Sequence, residues 1–366
     1  MKTKQVKILK GFLAIFVCCL LMPAVVKAQK LNNQIDSLIM AAMPDPQGPG
    51  GAFMVAQKGK VIYQKAFGRA NLELGVNLTT GSIFQLGSMT KQFTAVAVLL
   101  LEQQGKLKVS DHLSKYIPDY PGGDKITIHH LLTHTSGIKD FTKMKTLAGI
   151  AQKEMTPKMM VDFFKNEPVD FAPGERFDYN NSGYVLLGYL IEQVSGEAYA
   201  DFIRQHIFAP LGMDHSYYAS DRQVIYNRAY GYQKKENGYV NKTVISFSVP
   251  FASGALMSTL GDLLKWQNAL RQNNLLNAAE TTKAFSRYKL NNGEPVNYGY
   301  GWHIKELGGL TVRAHGGSIF GFKSMGIYVP GEDIYVVALT NCDCNSPTLP
   351  AENIAKLVIN ATVKSK

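Results

Sequence analysis

Strand-forming sequence lies at both ends of this chain and helix-forming sequence lies between, an order that leaves few folds open. Residues 52–68 place Ala-Phe-Met-Val-Ala-Gln before Lys58-Gly59-Lys60 and Val-Ile-Tyr-Gln-Lys-Ala-Phe-Gly after it, which predicts a hairpin. The pattern returns at 311–340, as Thr311 to Ala314, Phe322 to Val329 and Ile334 to Thr340, separated by glycine-rich or Pro330-Gly331 turns. Between them, residues 92–104, 157–166 and 183–196 set apolar residues three and four apart, as does Ala351 to Val363 with Ile354, Leu357, Val358 and Val363. The two ends therefore share one antiparallel sheet flanked by helices, an α/β (α+β) fold with a mostly helical domain inserted. The boundaries that follow are 29–110 and 250–366 for a discontinuous sheet-plus-helix domain and 111–249 for the helical one. The cleft between the two is where a ligand is expected.

The first 28 residues read differently. Lys2, Lys4, Lys7 and Lys10 precede a dozen apolar residues from Gly11 to Met22, Pro23 ends the run, and Val26-Lys27-Ala28 offers small residues before Gln29. That is the layout of a secretory signal peptide cleaved after Ala28, and it predicts a periplasmic or secreted protein. Twelve helical residues reach about 18 Å, too short for a hydrocarbon core of ~30 Å, so no stable membrane span is expected after cleavage. The segment also holds five lysines and no acid. The net charge of +11 falls to +6 without it, with no basic run left to suggest a nucleic-acid partner. Two cysteines remain, Cys342 and Cys344. Their spacing argues against a bridge, so stability is expected to come from the core. No cofactor or metal is called for. His130 and His134 are four apart, but a zincin needs glutamate after the first histidine and Leu131 stands there.

Ser88-Met89-Thr90-Lys91 leads directly into the apolar run Phe93 to Leu101. Residues three apart share a helix face, which sets the Lys91 amine against the Ser88 hydroxyl. A serine needs an adjacent base to become a nucleophile, and a lysine deprotonated by burial can supply it. Ser136-Gly137-Ile138-Lys139 and Ser286-Arg287-Tyr288-Lys289 share the spacing but open no buried helix. Tyr179-Asn180-Asn181 precedes the helix at 183–196. Tyr179 is a second candidate base, and Asn181 can bond both a substrate carbonyl and the lysine. His315-Gly316-Gly317-Ser318 continues the strand that begins near Thr311, where two glycines let a substrate backbone approach the sheet.

In this order, Ser-x-x-Lys, Tyr-x-Asn and a triplet ending in glycine resemble the penicillin-recognising serine hydrolases, in particular the class C β-lactamase and DD-peptidase branch. Ile126 to Gly137, Gly254 to Thr259 and Tyr298-Gly299-Tyr300-Gly301-Trp302 look like the same family, so the resemblance covers about residues 50–340. It implies a β-lactamase/transpeptidase-like fold and an acyl-enzyme mechanism. Ser88 resembles the nucleophile, Lys91 its proton acceptor or electrostatic partner, and Tyr179 the base that activates serine or the deacylating water. Asn181 and His315, with Gly316 and Gly317, would bind substrate, and the backbone N–H groups of Ser88 and Ser318 would form the oxyanion hole.

The triplet departs from the family's Lys-Thr-Gly. A histidine replaces the permanent cation and the middle hydroxyl is gone, both of which weaken recognition of a carboxylate. That favours a peptidase- or esterase-like hydrolase of a small-molecule or peptide substrate. The alternatives are a true class C β-lactamase and a non-catalytic ligand-binding or sensor module of the envelope. A lipase of the α/β-hydrolase type would need Gly-x-Ser-x-Gly, which this sequence lacks.

Overall fold

The computed structural model describes residues 29–363, so the expected signal peptide at 1–28 lies outside the described residues. Two compact units divide the chain. Met1–Pro44 contributes a helix at 29–42, and Asp45–Lys366 holds everything that follows. Among the described residues, no helix is long and apolar enough to cross a membrane.

Both ends of the second unit meet in one antiparallel sheet. Its strands are β1 (Gly51–Gln57), β2 (Lys60–Phe67), β3 (His303–Leu307), β4 (Leu310–Ile319), β5 (Phe322–Val329) and β6 (Ile334–Thr340), in the order β3-β4-β5-β6-β1-β2. In β1 and β6 nearly every residue is buried, so these central strands read as unbroken apolar runs, covered on both faces. The first hairpin closes in two residues. Gln57 pairs with Lys60, while Lys58 and Gly59 both take positive φ (51° and 73°), the turn whose twist matches paired strands. β4 runs well past Ala314, through His315-Gly316-Gly317-Ser318 to Ile319, because Phe322 to Tyr328 pair with it from Arg313 to Ile319. β3 pairs with β4 from Leu310 to Ala314 and stops there. Among the described residues, the far half of β4, His315 to Ile319, therefore has no strand on that side.

The helices that position the site are α1 (Thr90–Gln103), α2 (Ile128–Leu132), α3 (Pro157–Phe164), α4 (Asn181–Ser195), α5 (Phe251–Gly254), α6 (Leu260–Gln272) and α7 (Thr348–Val363). Each of the four expected helices forms, with its start up to three residues earlier than the apolar spacing marks. α6 packs on β1 and β6, and α7 packs on β5 and β6. α1 is buried all round from Thr90 to Leu101, as befits a helix hydrophobic on every side. Phe93 fixes its axial position by stacking on Trp266 of α6 at 4.2 Å, with the Phe208 ring edge-on at 5.7 Å.

One expectation is corrected. Cys342 and Cys344 are bridged, with their Cα atoms 5.1 Å apart. The chain turns as soon as β6 ends, Asn345 N donating to Cys342 O at 3.1 Å, and this turn brings the two within disulfide range. The bridge closes so short a loop that it constrains the unfolded chain little, so the core remains the main source of stability. Phe93→Ala tests that core where it meets the site. It should lower the unfolding free energy by about 3–5 kcal/mol, read as a fall in the urea midpoint at an unchanged m-value.

Candidate active site

The site is assembled where α1 begins. Gly87–Met89 form a tight turn that leads into Thr90, and Lys91 stands one helical step beyond Ser88. Its amine, wholly buried, donates to Asn181 Oδ1 at 2.8 Å, to the Ser253 carbonyl at 2.8 Å and to Ser88 Oγ at 3.3 Å. Its acceptors thus come from three separate elements: the turn before α1, the first residue of α4, and α5. The rings of Tyr179 and Tyr184 flank the amine, with centroids at 4.9 and 5.5 Å. Burial lowers the Lys91 pKa to about 7, against a smaller opposing pull from Asp140. Near neutral pH a large share of the amine is therefore unprotonated and able to accept the Ser88 proton.

Tyr179 sits just before α4 and is held by a clamp at His134. Asp178 N–H donates to the His134 carbonyl at 3.0 Å, and Asn180 N–H donates to His134 Nδ1 at 3.0 Å. The tyrosine is thus fixed from both sides by a residue 45 positions earlier, itself in a left-handed conformation (φ 59°). Asn180 also caps α4 by accepting from Gly183 N–H, and donates to the Ile138 carbonyl at 2.6 Å. The Tyr179 hydroxyl is buried with no hydrogen-bond partner among the described residues. Burial pushes its pKa well up; Ser88 is near enough to oppose this in part, without bonding geometry. The phenol is therefore a proton donor at neutral pH. Burial thus opposes the ionisation that a nearby lysine would favour.

His315 is enclosed in the same way. It is 2 % exposed, its Nε2 lies 2.9 Å from the Tyr298 hydroxyl, and its Nδ1 lies 2.6 Å from the Gly316 carbonyl. Burial, His303 and Lys91 all hold its pKa well below the usual histidine value. The ring is neutral and hydrogen-bonded, so it offers a substrate no positive charge. His134 is neutral for the same main reason.

Glycine decides how close the two backbones come. Gly87 takes φ 54°, and a Cβ there would lie 2.9 Å from Ser318 N; a Cβ on Gly317 would lie 1.9 Å from the Leu86 carbonyl oxygen. With no side chain at either position, the turn carrying Ser88 presses directly on β4, with Gly87 against Ser318 and Leu86 against Gly317. Ser324 Oγ secures the contact by donating to Leu86 O at 2.7 Å. A cleft of about 500 Å³ opens over them, lined by Ser88, Tyr179, His315, Gly316, Gly317 and Ser318 among others. Asn181 lies behind, on Lys91. Every residue expected at the site is thus gathered in or against this cleft. Asp140, Ser253, Tyr298, His303 and the clamp at His134 were not singled out. The last belongs to the stretch Ile126 to Gly137, but its role rests on backbone groups that no side-chain pattern reveals. His129 and His130 serve packing, bonding to the Tyr300 hydroxyl at 2.8 Å and to Thr127 N–H at 3.2 Å.

The Beta-lactamase family model matches residues 35–361. "Penicillin-binding protein 4*" of Bacillus subtilis is 34% identical over 296 residues, covering 75% of this chain and 64% of the relative, so the chain spans somewhat under two thirds of that protein. "Protein flp" of Staphylococcus aureus is 28% identical over 90% of this chain and 67% of its own length. Among solved structures, the octameric penicillin-binding protein homologue from Pyrococcus abyssi superposes with a TM-score of 0.79 at 30% identity, covering 90% of this chain and 77% of that one. The D-amino acid amidase from Ochrobactrum anthropi SV3, complexed with L-phenylalanine amide, gives 0.79 at 25% identity over 91% of this chain and 99% of its own.

A buried amine whose pKa falls to about 7 leaves a mark on stability. An unfolded lysine titrates near 10.4, so between those values the unfolded state binds more protons and stability rises with pH. Lys91→Met removes that increment. From pH 7 to 10 the urea midpoint of the wild type should rise relative to that of Lys91→Met, and parallel profiles would show that Lys91 is not deprotonated by folding.

Proposed function

This chain belongs to the Beta-lactamase family, and on that premise we propose that it is an exported serine hydrolase acting through an acyl-enzyme on Ser88, with peptidase- or esterase-like specificity. The observation that carries the reading is the buried Lys91 amine, 3.3 Å from Ser88 Oγ and with its pKa lowered to about 7. In the acylation step Lys91 accepts the Ser88 proton as Oγ attacks the substrate carbonyl. The N–H groups of Ser88 and Ser318 receive the developing oxyanion, a contribution of about 3 kcal/mol per donor in comparable sites. Tyr179, protonated, gives its proton to the leaving nitrogen or oxygen and regains one from Lys91. Water then releases the acyl group by the reverse path. The unpaired half of β4 offers an extended substrate a strand to lie along.

The likeness to the Ochrobactrum amidase favours amides of D-amino acids over β-lactams. The neutral, buried His315 points the same way, since it gives no cation for a β-lactam carboxylate. With a panel of a D-amino acid amide, a simple ester and a penicillin, the first two should turn over faster than the third. Ser88→Ala should abolish turnover, and intact-mass measurement after a fluorophosphonate should show an adduct on the wild type alone. An adduct on Ser136 or Ser286 would overturn the assignment. Export rests on the first 28 residues. N-terminal sequencing of the secreted or periplasmic protein should begin at Gln29, and an intact Met1 on cytoplasmic protein would refute it.

A further inference from the structure

Asp140 takes no part in the steps above, yet it is buried, 2 % exposed, where an ionised carboxylate needs full hydrogen bonding. Oδ1 accepts from Thr142 N–H at 3.0 Å and from Thr142 Oγ1 at 2.9 Å. Oδ2 accepts from Asn181 Nδ2 at 3.2 Å, a donor that also lies 3.3 Å from Thr142 Oγ1. The flanking lysines are engaged elsewhere, Lys139 with Asp170 and Lys143 with Asp178. The carboxylate therefore faces Asn181 and, beyond it, Lys91.

A carboxylate only accepts hydrogen bonds, whereas a carboxamide has a donating and an accepting end. With Asp140 on one side, Asn181 must turn its NH₂ toward the carboxylate, which leaves Oδ1 for Lys91 at 2.8 Å. The flipped amide would set oxygen against carboxylate, losing that bond, and would take away the oxygen to which the Lys91 amine donates. We propose that Asp140 is a positioning residue: its buried carboxylate locks the Asn181 carboxamide with the oxygen toward Lys91 and thereby holds the lysine amine on Ser88. The role rests on the reading of Ser88 as the acylated nucleophile. It also has an electrostatic side. The titratable groups around Lys91 are Asp140, Tyr179, Tyr184, His134 and His315, and of these Asp140 alone favours the charged amine, against the effect of burial.

The test compares wild type, Asp140→Asn and Asp140→Ala by the pH profile of Ser88 acylation, followed by intact mass with a fluorophosphonate from pH 5 to 10. Asn keeps the shape and one oxygen that can accept from Asn181 Nδ2, and removes the charge along with the second accepting oxygen. Lys91 should then release its proton at lower pH, moving the acidic limb down by roughly one unit, with the plateau within about threefold of wild type. Ala removes the acceptor as well, and its plateau should fall about tenfold or more. If Asp140→Ala does not fold, the limb of Asp140→Asn still decides. A limb that coincides with wild type, or moves up, overturns the proposal while Ser88 acylation stands. A wild type that forms no Ser88 adduct overturns the acyl-enzyme reading, and this role with it.

Discussion

The enclosure of one amine organises this molecule. Lys91 is reached by no solvent, and its three acceptors come from positions 88, 181 and 253. A buried donor left unpaired costs on the order of 1–3 kcal/mol, so the elements carrying these acceptors are held in mutual register by the lysine as much as by apolar contact. α1 supplies the lysine, α4 presents Asn181 as its first residue, and α5 turns a carbonyl inward. That last step asks for an unusual backbone. Phe251, which opens α5, takes φ 40°, a conformation bulky residues rarely adopt, and its ring is anchored on Tyr199 at 5.0 Å. His134, the other non-glycine residue at positive φ against the site, clamps Tyr179. Both departures from ordinary backbone geometry thus fall where they aim a group at the amine or its neighbour, in keeping with strain held at functional positions.

The sheet provides the second constraint. β4 is an inner strand for half its length and an open edge for the rest, because β3 pairs only as far as Ala314. The open half carries His315-Gly316-Gly317-Ser318. Two opposed backbone surfaces meet there, the turn before α1 and the strand itself, at a distance that a single methyl at Gly317 would forbid. Groups supplied by the main chain on both sides of a cleft are fixed in direction without any side-chain entropy to lose.

Much of this was legible in the sequence, for local reasons. Ser88 and Lys91 could be paired because helical periodicity is a short-range property and the buried run begins at once after them. The hairpin at Lys58-Gly59 and the strands at 322–340 declared themselves through alternating or continuous apolar residues bounded by turn formers. What was hidden depends on distance or on the main chain. The Ser253 carbonyl lies 162 residues from Lys91 and has no side-chain signature. Asp140 looks like any loop aspartate until the fold sets it against Asn181. His315 could be named, but whether an imidazole is charged depends on its burial, which the residue type does not give. The bridge between Cys342 and Cys344 was misjudged because spacing was weighed without the turn that follows β6.

The neutrality of the histidines follows from the same enclosure. His134, His303 and His315 each lose proton affinity chiefly through burial, and Lys91 adds to the effect at His134 and His315. Tyr179 stays protonated for the corresponding reason, since its anion would be poorly solvated. A ring of neutral aromatic groups therefore surrounds an amine poised near neutral pH, with the Asp140 carboxylate one amide away. In such surroundings the Ser88 hydroxyl has a basic amine, Lys91, within hydrogen-bond reach and a protonated phenol, Tyr179, beside it. The chemistry then depends less on which residue is intrinsically strong than on the order in which burial ranks them. Exposing the site to water would narrow that ranking, moving Lys91 and Tyr179 back toward their ordinary, nearly equal pKa values and removing the difference in proton affinity between them.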